Sequence, residues 1–174
     1  MSGLELSAKE QLIGQINKVK NSFILGLASV TLLSNKEVRY LVDIGSVPLG
    51  DARIDFPNLS KWIDENEKEI TDLISCHLRL LVGDSFELID AYCGRTKQRA
   101  TLKDQDWYIF AYKIRSIFYH GGKIGCRSRG EEVKWNEVVI TQELNGKYLS
   151  LEVMSHKKGW QLFVEMEKFV HDVL

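Results

Sequence analysis

The hexapeptide Arg115-Ser116-Ile117-Phe118-Tyr119-His120 places a guanidinium, a hydroxyl, a phenol and an imidazole within two turns of an amphipathic segment. These groups suit cleavage of an RNA phosphodiester without a metal. An imidazole can take the proton from a 2′-hydroxyl or return one to the leaving oxygen. A permanently charged guanidinium can hold the non-bridging phosphate oxygens as negative charge builds. Ser116 stands four residues before His120, one turn away on a helix surface, where its hydroxyl can orient the ring. Arg115 lies about 140° from His120 around the axis, so one helix makes an incomplete site. A second copy packed face to face would put two arginines and two histidines around one cleft.

The rest of the segment supplies binding groups. At helical spacing Trp107, Phe110, Ala111, Ile114, Ile117 and Phe118 form one apolar stripe that must face a core. Tyr108, Tyr112, Lys113, Arg115, Ser116, Tyr119 and His120 share the opposite arc, expected to be exposed. Tyr112 and Tyr119 can stack on bases, and Lys113, with Lys123 and Arg99 nearby, can hold phosphates. Between Arg95 and Arg129 nine basic residues stand against two acidic ones, in a chain whose formal net charge is −1. Such a window attracts phosphate chains; a solvated charged surface is the plainer reading. As a third possibility, the loop from Arg95 to Lys103 could clamp the backbone of DNA.

Arg115, four intervening residues, His120 and then Gly121, near the end of an aromatic-rich helix, resemble the signature of the HEPN superfamily. The resemblance implies an all-helical domain and a metal-independent endoribonuclease of toxin or antiviral-defence type, working as a homodimer. Arg115 would bind the phosphate, His120 would act as general acid or base, Ser116 would orient it, and Tyr119, Tyr112, Lys113, Lys123 and Arg99 would hold substrate. Members of the family that do not cut RNA are RNA-binding or protein-interaction modules, the alternative implied here. Active members usually carry Asn, Asp or His directly after the arginine, where this chain has Ser116. Members neutralised by a nucleotidyltransferase antitoxin tend to carry a tyrosine where this chain has Gly122. A protein partner or antitoxin stays among the implied partners beside RNA and a second copy.

A length of 174 residues with 44% hydrophobic content suits one domain spanning 1-174. The expected class is mainly α, a bundle of about four long helices with an inserted β-hairpin near 133-154, before the last helix. Three widely spaced cysteines and no signal-like segment point to the cytoplasm, and no apolar run is long enough for a membrane span. Cys76, His77, Cys93 and Cys126 lack zinc-ligand spacing, so buried thiols and no metal or other cofactor are expected.

Ser7 with Glu10 forms a capping box that opens a first long helix ending near Ser34-Asn35. Val38 to Phe56, with Gly45, Pro48 and Gly50, reads as a connector with room for a short strand. A second helical region runs from Asn58 or Ser60 to Tyr92, with Gly83 as a kink and Gly94 as a stop. Asp104 is the expected N-cap of a third helix that Gly121-Gly122 ends. Asn145-Gly146 favours a type I′ turn that would pair Ile140 with Leu151 and Val138 with Val153. Lys158 to Leu174 reads as the closing helix.

Overall fold

The computed structural model describes residues 7–56, 58–125 and 132–174. Arg127 and Arg129 of the basic window, together with Cys126, lie outside them. The fold is mainly helical, in the order α1 (Ala8–Leu33), α2 (Lys36–Ile44), β1 (Ser46–Leu49), β2 (Ala52–Asp55), α3 (Leu59–Glu65), α4 (Glu67–Arg95), α5 (Arg99–Lys103), α6 (Tyr108–Tyr119), β3 (Val133–Trp135), β4 (Val138–Ile140) and α7 (His156–Asp172). None of the described helices is long and apolar enough to cross a membrane. The chain divides into two compact units, one comprising the chain up to Asn21 together with Leu78–Leu174, the other Ser22–His77.

In the first unit the capping box forms as the spacing predicts. Ser7 N–H donates to the Glu10 carboxylate at 2.7 Å and Glu10 N–H to Ser7 Oγ at 3.2 Å. Leu81, Val82, Phe86 and Ile89 of α4, Phe110, Ile114 and Ile117 of α6, and Leu162, Phe163, Met166 and Val170 of α7 form the buried core. α7 starts with Ser155 accepting from Lys158 N–H, and Gly159 brings its backbone close to α4: a Cβ there would meet the Leu78 side chain at 2.6 Å.

Gly83 lies within α4, which runs unbroken to Arg95. Gly94 is not the stop. The positive φ at the end of this helix falls on Lys97 (61°), and a Cβ at Gly94 would lie 3.1 Å from the Arg99 guanidinium, the movable end of an exposed side chain. Asp104 closes α5, its N–H donating to the Ala100 and Leu102 carbonyls, and α6 begins only at Tyr108 behind the buried Trp107.

The expected hairpin about Asn145-Gly146 does not form. Asn145 (φ −57, ψ 130) and Gly146 (φ 79) adopt a type II turn, closed by Lys147 N–H to the Leu144 carbonyl at 3.0 Å. The twist of that turn type splays flanking strands instead of pairing them. Gln142–Leu144 coil into a 3₁₀ turn, and Leu151 is exposed. The hairpin sits earlier. Trp135 pairs with Val138 and Val133 with Ile140 across Asn136-Glu137, with Asn136 at φ 49. Val133, Trp135, Val138 and Ile140 are its buried face, and Trp135 stacks on Phe110 of α6 at 5.4 Å.

The second unit turns the expected connector into structure. Asn35 caps α2 by accepting from the N–H groups of Glu37 and Val38, and β1 pairs antiparallel with β2 around Gly50. α2 is laid inside out. Its buried residue is Arg39, paired with Asp64 of α3 at 2.6 Å, while Tyr40, Leu41 and Ile44 are exposed. Asp43 accepts from Ser60 N–H at 3.0 Å, and hydrogen bonding to Ser60 holds its carboxyl below the usual range.

Candidate functional site

α6 ends in a Schellman arrangement: Gly122 N–H donates to the Ile117 carbonyl at 2.8 Å, with Gly121 at φ 72 and Gly122 at φ 80. Both φ values lie in the left-handed region that favours glycine. The turn leaves His120 as the exposed C-cap. The following segment is strapped down by the chain around Asn145-Gly146. Leu149 N–H donates to the Gly122 carbonyl, Ile124 N–H to Lys147, and Gly146 N–H to Ile124, at 2.9, 2.9 and 2.7 Å. That strap fixes Lys123, whose ammonium lies 5.3 Å from the centre of the Tyr148 ring.

The two flanks of α6 differ in chemistry. On one, a cleft of about 350 Å³ is lined by Lys113, Ser116, Ile117, His120, Lys123, Ile124 and Gly125, with no carboxylate among the described residues. On the other, about 260 Å³ is lined by Phe86, Glu87, Asp90, Arg99, Lys103, Tyr108, Tyr112 and Arg115. His120, Ser116, Lys113 and Lys123 therefore meet in one cleft, while Arg115, Tyr112 and Arg99 line the other. Arg115 is held by an ion pair with Glu87, and its guanidinium stacks 4.8 Å above the Tyr119 ring. The Tyr119 hydroxyl reaches Asp84 at 3.5 Å.

No family model, curated protein or solved structure matches this chain.

The division between flanks follows from helix geometry. Arg115 and His120 point about 140° apart, and Glu87 on the facing helix draws the guanidinium further from the imidazole. Lys113, expected on the exposed arc, is only 8% exposed. It stands about 40° from Ile117 and about 60° from Phe110 around the axis, inside the edge of the buried stripe. Phe118, expected within the stripe, is half-buried, with the Arg79 guanidinium 5.9 Å from its ring centre.

The residues that sequence reasoning passed over are acidic. Asp84, Glu87 and Asp90 recur every three residues on α4, and that spacing was the available signal of one acidic face. Burial raises the Asp84 carboxyl above its ordinary value and the Glu87 charge adds to this, against the Tyr119 hydrogen bond. The Tyr119 phenol is raised by burial and by Asp84 and Glu87, and Tyr108 by burial and Asp90.

Among the described residues no group of three or more His, Cys, Asp or Glu is placed to hold a metal ion. Of the thiols, Cys93 is buried as expected, but Cys76 is exposed. Burial, with Asp90 nearby, pushes the Cys93 thiol up to about 11, which suppresses its thiolate. Iodoacetamide should therefore label Cys76 in the native protein and reach Cys93 only on unfolding, read by peptide mass spectrometry. Equal labelling of both thiols in buffer would contradict the packing of α4.

Proposed function

We propose that this chain is a HEPN-like module that binds single-stranded RNA through the cleft beside the last turn of α6. The observation that carries this reading is the composition of that cleft: Lys113, Ser116, His120 and Lys123 converge on it with no acid among the described residues. A phosphate entering it meets the Lys123 cation and a hydroxyl donor, with no carboxylate among the described lining residues. The basic sequence on either side extends the attraction. Binding of single-stranded RNA that weakens as salt rises, and that drops on Lys123→Glu, tests the reading.

A second reading, a metal-independent endoribonuclease, is favoured by one further observation. His120 is exposed in the same cleft as Ser116, one turn away. There one His120, protonated, would give its proton to the leaving 5′-oxygen while the neutral His120 of a second copy takes the proton of the attacking 2′-hydroxyl, giving a 2′,3′-cyclic phosphate and a 5′-hydroxyl. Arg115 of the same chain faces the other flank, so the guanidinium in this reading comes from a second copy in a homodimer. Toxin or antiviral action in the cytoplasm would follow from that activity. Incubating wild type and His120→Ala with mixed RNA in EDTA separates the two readings. Cleavage by the wild type alone establishes the nuclease; binding without cleavage by either leaves the binding module.

A further inference from the structure

The Arg115 flank of α6 differs from the His120 cleft in carrying carboxylates, Glu87 and Asp90, beside the cations Arg99, Lys103 and Arg115. Its other wall is aromatic. Phe86 and Tyr108 lie with ring centres 5.7 Å apart, Phe86 and Tyr112 6.1 Å, and Tyr108 stacks on Tyr112 at 6.4 Å. A cleft of about 260 Å³ falls just below the roughly 300–1,000 Å³ common for drug-sized ligands, so it suits one flat ring with its sugar.

We infer that this cleft binds a single guanine base, stacked on Tyr112 and read by the Asp90 carboxylate, with the attached phosphate on Lys103 and Arg99. Tyr112 is 45% exposed, so its ring is open to a ligand while its partners Tyr108 and Phe86 hold it in place. Stacking of this kind accepts any base. Selection comes from the acid. An ionised carboxylate only accepts hydrogen bonds, so it favours a base edge carrying adjacent N–H donors. Guanine presents N1–H and the N2 amino group side by side; adenine has an unprotonated N1 in that place and would set a lone pair against the carboxylate.

The ion pairs already present do not close the cleft. Asp90 meets Arg99 at 3.3 Å, a long pairing to an arginine whose side chain is 60% exposed, which leaves carboxylate lone pairs for a ligand. Arg99 can then turn toward phosphate while staying beside Asp90. On the inner side, Arg115 is committed to Glu87 and Tyr119, which fixes that end of the cleft and leaves Asp90 as the reader. This site deepens the RNA-binding reading and rests on it for the source of the base, a guanosine in the strand held on the opposite flank.

The test uses free 5′-GMP and 5′-AMP with the full chain, followed by the tyrosine ring resonances in NMR. GMP should shift the Tyr108 and Tyr112 resonances saturably, and AMP should bind about tenfold more weakly. Tyr112→Ala and Asp90→Asn should each weaken GMP by about tenfold, and Asp90→Asn should also erase the preference over AMP. Lys123→Glu should leave GMP binding in place while it weakens RNA, so loss of the guanine site and loss of the RNA-binding reading are read from separate variants. No saturable shift with GMP at millimolar concentration, equal binding of AMP by the wild type, or GMP affinity untouched by Tyr112→Ala would overturn the inference.

Discussion

Phe110→Ala should cost about 3–5 kcal/mol of stability, a large share of the roughly 5–15 kcal/mol that holds a typical domain. The ring is fully buried and stacks on Trp135 at 5.4 Å with the planes 26° apart. Its removal forfeits the burial of an aromatic side chain and leaves a cavity between α6 and the β3-β4 hairpin, whose buried face is too short to collapse into it. In a chain of this length the melting temperature should fall on the order of 10 °C, followed by far-UV circular dichroism. The neighbouring Ile109, 64% exposed, supplies the internal comparison: Ile109→Ala should stay within about 0.5 kcal/mol of wild type. Equal melting temperatures for the two variants would mean that α6 is not seated on the hairpin as described. The effect should reach function, because the same helix carries Lys113, Ser116 and His120 into their cleft.

What the sequence revealed depended on whether local chemistry or distant partners decided the outcome. The capping box at Ser7 and Glu10, the stop at Gly121-Gly122 and the closing helix are local, and all three form. The apolar stripe of α6 was legible from its period, with Trp107, Phe110, Ala111, Ile114 and Ile117 buried. Asn145-Gly146 misled because the dipeptide is compatible with more than one turn type. Its backbone went to type II, where the strands a hairpin needs are replaced by hydrogen bonds to Gly122 and Ile124. Trp135 and Val138 closed the actual hairpin over Asn136-Glu137, a pair with no glycine to advertise it. α2 was missed because its buried group is a charged arginine paired with Asp64, a partner 25 residues away.

At the candidate site, His120, Ser116, Lys113 and Lys123 line one cleft, as the helical phase of the first two allowed. Sequence spacing also grouped Arg115 with them. The separation of Arg115 depends on Glu87, 28 positions upstream on a different helix, and no motif within the hexapeptide encodes that pairing. Helical phase alone, about 140°, was the warning that two flanks were involved.

The RNA-binding reading requires that the flank of His120 holds the RNA backbone. Lys123 lines that cleft, is exposed, and stands on a strap fixed by backbone hydrogen bonds, so Lys123→Glu reverses a charge there without removing core packing. A glutamate at this position both deletes a cation and places an anion against the strand, an effect on the order of tenfold or more in affinity. The direct measurement is the binding isotherm of a single-stranded RNA at a series of salt concentrations, for wild type and Lys123→Glu. The variant should bind more weakly at every salt concentration, with a log–log salt slope shallower by about one. Unchanged affinity and slope in the variant, with RNA still bound, would place the strand elsewhere on the molecule and contradict the account.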